Sequence, residues 1–228
     1  TIREILHRGI HISFVVGLVF IFYSWKKIDH SKKKFNTPFI DIILSILVVI
    51  SALYLPLLPP EVLAPRVGNP ENIDIIMGSF LIVLTLEAAR RSIGFTLPFI
   101  CVLFILFAIF GPYFPGALKH GGASWVGFVN HIYLTNQGIY GIAVGVMAQY
   151  VFLFILFGVL ATRIGLGQLF IDLAMVIAGK YSGGPAKVAI FSSAFLGTIS
   201  GSSIANTVTT GSLTIPAMKK VGYPPHFS

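Results

Sequence analysis

The sequence predicts an all-α integral membrane protein with about five transmembrane helices followed by a re-entrant helical hairpin. Three observations carry this. Apolar residues make up 55% of the 228 and charged residues only 11%, too few to cover the surface of a soluble chain. Mean hydropathy is strongly positive, at +0.87. The basic residues lie between apolar runs and not along one polar face, so the net charge of +8 points away from nucleic acid and towards membrane topology.

A spanning helix needs about 20 apolar residues to cross a hydrocarbon core of about 30 Å. Segments 9–25, 39–58, 73–89, 95–114 and 139–162 meet or approach this length. Tyr23, Trp25, Tyr54, Tyr113, Trp125 and Tyr140 mark several of their ends, as interfacial aromatic anchors do. With the chain before Gly9 outside, Lys26, Lys27, Lys32, Lys33, Lys34, Arg90, Arg91, Arg163, Lys180, Lys187, Lys219 and Lys220 fall inside. Arg3, Arg8, Arg66 and Lys119 fall outside. That excess satisfies the positive-inside rule. The outer connections carry Pro59, Pro60, Pro65, Pro70, Pro112, Pro115, Gly116, Gly121 and Gly122, residues that pre-set turn geometry, and are read as ordered turns.

Between Lys187 and Lys219 no side chain is ionisable. A single helix over that interval would be about 46 Å long, too long for one crossing, and Gly197 to Asn206 interrupts it. A hairpin over 186–218, entering and leaving on one side, fits better. Gly183 and Gly184 end the preceding element, and Pro185 suits the first turn of the next helix. The helix over 168–179 is too short to span comfortably and is read as interfacial or tucked beneath the hairpin.

Half of the residues between Val188 and Met218 are Ser, Thr, Gly or Asn. Non-helical backbone at membrane depth survives only where protein buries it or where it lines a polar cavity. The run Thr198-Ile-Ser-Gly-Ser-Ser203 is read as such a break, with hard neutral oxygens that suit an alkali cation. A second half-helix starting near Ile204 or Asn206 offers its positive N-terminus to an anion. One broken hairpin then serves a cation and a carboxylate together. The competing reading is close helix packing, which also favours small residues.

Glu87-Ala-Ala-Arg-Arg91, Gly158 after Phe152-Leu-Phe-Ile-Leu-Phe157, Gly183-Gly-Pro-Ala-Lys187, Gly197-Thr-Ile-Ser-Gly-Ser-Ser203, Ala205-Asn206, Thr209-Thr-Gly211, Thr214-Ile-Pro-Ala-Met218 and Gly222-Tyr223 together resemble the fused membrane permease of TRAP transporters, in the branch served by TAXI-type binding proteins. The resemblance is most specific from Glu87 to Tyr223. It implies a sodium-driven secondary transporter in the bacterial inner membrane, working as an elevator. A periplasmic substrate-binding protein of TAXI type would hand it a small organic acid. Residues 1–91 would form the small scaffold domain, lacking its first helix. Residues 92–228 would form the first part of the large transport domain, with hairpin one. The chain is read as the N-terminal portion of a longer permease. By the same resemblance Ser200, Gly201, Ser202, Ser203 and Asn206 bind sodium, and Ser203, Asn206, Thr209 and Thr210 face substrate.

The other polar residues have plainer readings. Glu87 pairs with Arg90 or Arg91 at helical spacing. Asp41 and Asp74 start helices, where a carboxylate suits the dipole, and Asp172 pairs with a nearby base. Cys101, alone in an apolar run, is read as packing. The six His residues show no metal-ligand pattern. An intramembrane hydrolase fails because Gly201-Ser-Ser-Ile-Ala205 misses the last glycine of the nucleophile elbow and lacks its strand–turn–helix context. A non-transporting scaffold or anchor subunit is the alternative function; it does not explain the polar break. A channel would favour rings of repeated filters.

Overall fold

The computed structural model describes residues 2–24, 38–199 and 203–226, and these are helical throughout with irregular connections. In order come α1 (Ile2–Phe22), α2 (Phe39–Leu57), α3 (Pro60–Arg66), α4 (Asn72–Ser92), α5 (Thr96–Phe110), α6 (Trp125–Val129), α7 (Ile142–Val146), α8 (Phe152–Arg163), α9 (Leu166–Ala178), α10 (Gly184–Gly197) and α11 (Ser203–Lys220). Five stretches are long and apolar enough to cross a membrane: Glu4–Phe22, Phe39–Leu57, Asn72–Ser92, Thr96–Tyr113 and Ile142–Ala161. They coincide with the five expected spans. The first starts earlier than expected because Arg8 does not end it: Arg8 Nη1 donates to the Tyr140 carbonyl at 2.7 Å. Lys26, Lys27, Lys32, Lys33, Lys34 and Trp25 lie outside the described residues.

The chain packs as two compact units, Thr1–Ala148 and Gln149–Ser228. This division is one of packing, and the expected functional boundary at 91/92 is a separate matter.

In the first unit α1 and α2 approach closely along Gly9, Ser13 and Gly17, one turn apart on α1. A Cβ at Gly9 would stand 2.7 Å from the Pro56 ring and 2.9 Å from the Ala52 carbonyl oxygen. Ser45 Oγ donates to the Gly17 carbonyl at 3.1 Å, and Ser13 Oγ to the Gly9 carbonyl at 2.8 Å. Small residues that let backbones touch are the means by which helices associate where lipid removes the hydrophobic drive.

Pro56 sits inside α2. It has no N–H, so the carbonyl four residues earlier, that of Ala52, loses its helical donor. Tyr140 Oη donates to that carbonyl at 2.8 Å, and Tyr133 Oη donates to the neighbouring Ser51 carbonyl at 2.7 Å. Both rings are buried, at 0% and 1% exposure. Tyr140 is therefore no interfacial anchor: the segment that carries it packs into the bundle to serve a kinked helix. Tyr133 also fills the space left by Gly78 of α4, where a Cβ would stand 2.9 Å from its ring and 2.6 Å from Val129. Burial pushes both phenols well above their ordinary range, so both remain protonated donors.

Charged clusters close α2 and α4 at opposite ends. At one, fully buried Asp74 accepts from Tyr54 Oη at 2.9 Å, Arg66 Nη1 at 3.1 Å and the Glu71 amide at 2.9 Å. The last bond is half of a capping box at the start of α4. At the other, Arg91 reaches Asp41 Oδ1 and Glu87 Oε1, each at 2.7 Å, and lies over the Phe20 ring at 4.7 Å from its centroid. Arg90 joins Glu87 at 2.8 Å. Asp74 caps its helix as expected, and Glu87 pairs with both arginines. Asp41 does more than start a helix, because its buried carboxylate holds α2 to α4.

The outer turns are ordered, as their Pro and Gly content predicts. The Gly122 amide donates to His120 Nδ1 at 3.2 Å, which leaves Nε2 to donate to the Phe107 carbonyl at 3.1 Å. Cys101 is exposed on α5 and is not a core packing residue; on a membrane helix the apolar outside is the lipid side.

The proline repair yields a double-mutant test. Tyr140→Phe leaves the Ala52 carbonyl unpaired in a buried site and should cost about 1–3 kcal/mol. Pro56→Ala restores an amide donor to that carbonyl. The pair should therefore cost less than the sum of the single changes, read by thermal unfolding in detergent. Strict additivity would remove the proposed link.

Candidate ion and substrate site

The second unit is built around α10 and α11. Gly183, at φ +73, ends the preceding turn in the left-handed region, and Pro185 occupies the first turn of α10. At 14 and 18 residues, the two arms are about 21 and 27 Å long. They pack against each other and are joined through Thr198 and Ile199 and then Ser200, Gly201 and Ser202. Those last three site residues lie outside the described residues. The two predicted helices are found, and of the expected break between them Thr198 and Ile199 form a turn.

Asn206, one turn into α11, bridges the arms. Its Nδ2 donates to the Ser193 carbonyl at 3.0 Å, and Ser193 Oγ donates back to Asn206 Oδ1 at 3.4 Å. Gly197 lies beside it, and a Cβ there would stand 3.5 Å from Asn206 Nδ2, an ordinary contact. Ser203 begins α11 with an exposed side chain, and its carbonyl accepts from Thr207 Oγ1 at 2.9 Å. Thr210 is buried, and its hydroxyl donates to the Asn206 carbonyl at 2.8 Å. Thr209 turns its methyl to α9, 3.1 Å from where a Cβ on Gly167 would stand.

Further along the arms, Ser212, Thr214, Ser192 and Thr198 also donate to carbonyls of their own helix, at 2.7–3.2 Å. Such back-bonding lets a hydroxyl sit in an apolar setting without an external partner. Away from the tip, the Ser and Thr content therefore keeps the helices uncharged and internally satisfied.

Contacts along the hairpin fix the register of its neighbours. Gly158 of α8 lies beside the tip, where a Cβ would be 3.3 Å from the Ile199 carbonyl oxygen. Gly167 lies at Thr209. Phe170 meets Phe195 with centroids 5.8 Å apart, and Ala178 packs near Val188 towards the base. Hence α9 runs alongside the first arm rather than beneath the hairpin. Its apolar face, Ile171, Ala174 and Ala178, is long enough to line that arm. Asp172 takes its bond from Gln168 Nε2 at 2.8 Å and not from a base.

The Ser193–Asn206 bridge was not legible beforehand, although Asn206 itself was. The signal was an amide one turn past a Gly/Ser break, with a serine 13 residues upstream on the facing arm.

Residues 80–228 match the profile of the DctM component of tripartite ATP-independent periplasmic transporters. The chain belongs to the DctM family. Over 75 residues, 33% of this chain and 18% of the relative, it is 40% identical to a putative TRAP transporter large permease protein of Haemophilus influenzae. Over 72 residues, 32% of this chain and 17% of the relative, it is 39% identical to the uncharacterized protein y4mL of Sinorhizobium fredii. The matched stretches thus cover less than a fifth of either relative's length. No solved structure matches. Membership of a permease family fits the five apolar spans and makes this DctM chain a multi-pass membrane protein and not an enzyme.

The Ser193–Asn206 bridge should be worth a measurable amount to the hairpin. Asn206→Ala leaves the Ser193 carbonyl without its side-chain donor and is expected to cost about 1–3 kcal/mol. Thr207→Ala removes only an exposed back-bond and should stay within about 0.5 kcal/mol of the parent. Equal thermal stability of the two variants in detergent would contradict the bridging role.

Proposed function

We propose that this chain is part of the membrane permease of a sodium-driven TRAP transporter. It imports a small organic acid that a periplasmic binding protein delivers. The observation that carries the reading is the pair of helices at 184–220, with no charge between Lys187 and Lys219, inside the portion that matches the DctM family. The negative end of α10 and the neutral oxygens of Thr198 to Ser203 suit a sodium ion. The positive N-terminus of α11 suits a carboxylate on the other side of the same break.

In this reading Ser200, Gly201, Ser202 and Ser203 supply sodium with carbonyl and hydroxyl oxygens, and Asn206 completes that end of the second arm. Ser203 and Asn206 also face the substrate, with Thr209 and Thr210 on the next turn. Thr210 would turn to a substrate only by giving up its bond to the Asn206 carbonyl. The hairpin is re-entrant, because both its ends carry lysines and neither arm needs to cross.

Residues 1–91 act as scaffold and 92–228 as the start of the transport domain, in an elevator of the bacterial inner membrane. The fused arrangement of small and large domains, and a TAXI-type binding protein as partner, follow from the sequence resemblance. A purely scaffolding role suits the ion-paired bundle of α2 and α4. It gives no account of a polar break held between two uncharged arms.

Ser203→Ala should abolish sodium-coupled uptake in proteoliposomes while leaving membrane insertion and stability intact. Uptake by that variant with the sodium dependence of the parent would remove the site assignment.

A further inference from the structure

The base of the hairpin, at the far end from the break, gathers Lys180, Lys187, Lys219 and Lys220, all of them exposed. The backbone brings them there. The turn from α9 into α10 is so tight that a Cβ on Gly184 would stand 2.6 Å from the Gly179 carbonyl oxygen. Ala178 packs near Val188, so Lys180 and Lys187 leave from the same end. α11 closes with a Schellman motif. The Tyr223 amide donates to the Met218 carbonyl at 3.2 Å and the Gly222 amide to the Lys219 carbonyl at 3.1 Å, with Gly222 at φ +97. That turn sends Tyr223 back to the start of α10, its hydroxyl 3.5 Å from where a Cβ on Gly183 would stand. Lys219 and Lys220, in the last turn of α11, thereby join the other two.

This part of the chain carries no acid to neutralise them. From Leu173 to Ser228 the sequence holds no Asp or Glu, and Asp172 accepts from Gln168 within α9. The last carbonyls of α11 do not call on the lysines either, because the Schellman bonds already serve two of them. The start of α10 adds a positive helix pole at the same end. Lys187 holds its ammonium 5.7 Å from the centroid of the exposed Tyr181 ring. Val176, Ile190 and Val221 are also exposed around this end. Lysines, an amphipathic tyrosine and an apolar rim together match the level of lipid headgroups. A phospholipid meets both chemistries at once, phosphate against ammonium and acyl chain against the rim. A free anion or an acidic peptide would leave the rim in water.

We propose that the base of the hairpin is a binding surface for anionic phospholipid headgroups, with the four lysines holding their phosphates and Tyr181 at the same level. The positive-inside rule accounts for the side on which these lysines lie, and not for their convergence on one end of one packed unit. Bound headgroups set the depth of the hairpin's base in the membrane. The proposal is independent of the sodium reading.

The test uses the complete permease reconstituted in vesicles, with native thiols replaced and Ser182→Cys, beside Tyr181, carrying a fluorophore. Brominated phosphatidylglycerol or brominated phosphatidylcholine, at equal mole fraction, quenches that fluorophore according to its local enrichment. The parent should prefer phosphatidylglycerol by at least about fivefold, the worth of one lysine at a charged surface. Lys180→Gln, Lys187→Gln, Lys219→Gln and Lys220→Gln together should bring the two lipids to equality. The corresponding four changes to Arg should keep the preference, and Lys119→Gln, in the outer turn, should leave it as in the parent. If the fourfold glutamine variant fails to fold, Lys219→Gln with Lys220→Gln should still lower the preference. Equal quenching by the two lipids in the parent overturns the proposal, as does a preference that the glutamine changes leave intact. Inorganic phosphate should not abolish the preference; if it does, the patch is a free-anion site and the lipid assignment falls. Sodium plays no part in the readout, so failure of the sodium reading leaves this test standing.

Discussion

Everything in this protein depends on one constraint: in hydrocarbon, each backbone polar group must find its partner inside the protein. Pro56 breaks that rule in α2 by removing a donor. The repair comes from Tyr140, 88 residues away in sequence, and Tyr133 serves the adjacent carbonyl from 82 residues away. That repair fixes the course of the segment before α7. It demands a side-chain-free Gly78 on α4 and a side-chain-free Gly9 on α1. A single orphaned carbonyl thus organises much of the first unit.

The same constraint shapes the hairpin. Ser192, Thr198, Thr207, Thr210, Ser212 and Thr214 each close on a carbonyl of their own helix, so the arms are polar in composition and neutral in effect. Asn206 ties the two arms together. What this bookkeeping leaves over is the end of α10 and the break after it. The proposed chemistry lies there, where the sequence carries small neutral residues and no charge. Uncharged oxygens at a helix C-terminus and free amides at a helix N-terminus are complementary to a cation and a carboxylate.

The spans were legible because a run of about 20 apolar residues has no other common explanation. The hairpin was legible because its Gly/Ser break falls inside a charge-free interval, and Glu87 because its partners are three and four residues away. What was not legible depends on pairs far apart in the chain. Asp41 meets Arg91 across 50 residues, and nothing local to Asp41 distinguishes a buried ion pair from a helix cap. Tyr140 reads as an interfacial aromatic because its partner is a carbonyl, which leaves no mark in the sequence. The path of α9 beside the first arm follows from contacts at Gly167, Phe170 and Ala178. Their spacing alone allowed an interfacial helix equally well.

The central claim is that the hairpin tip takes up sodium. The most direct measurement is the maleimide labelling rate of Ser203→Cys in the complete permease, with Cys101→Ser removing the exposed native thiol. The account predicts markedly slower labelling in NaCl than in KCl at equal ionic strength. Equal rates in the two salts would contradict it.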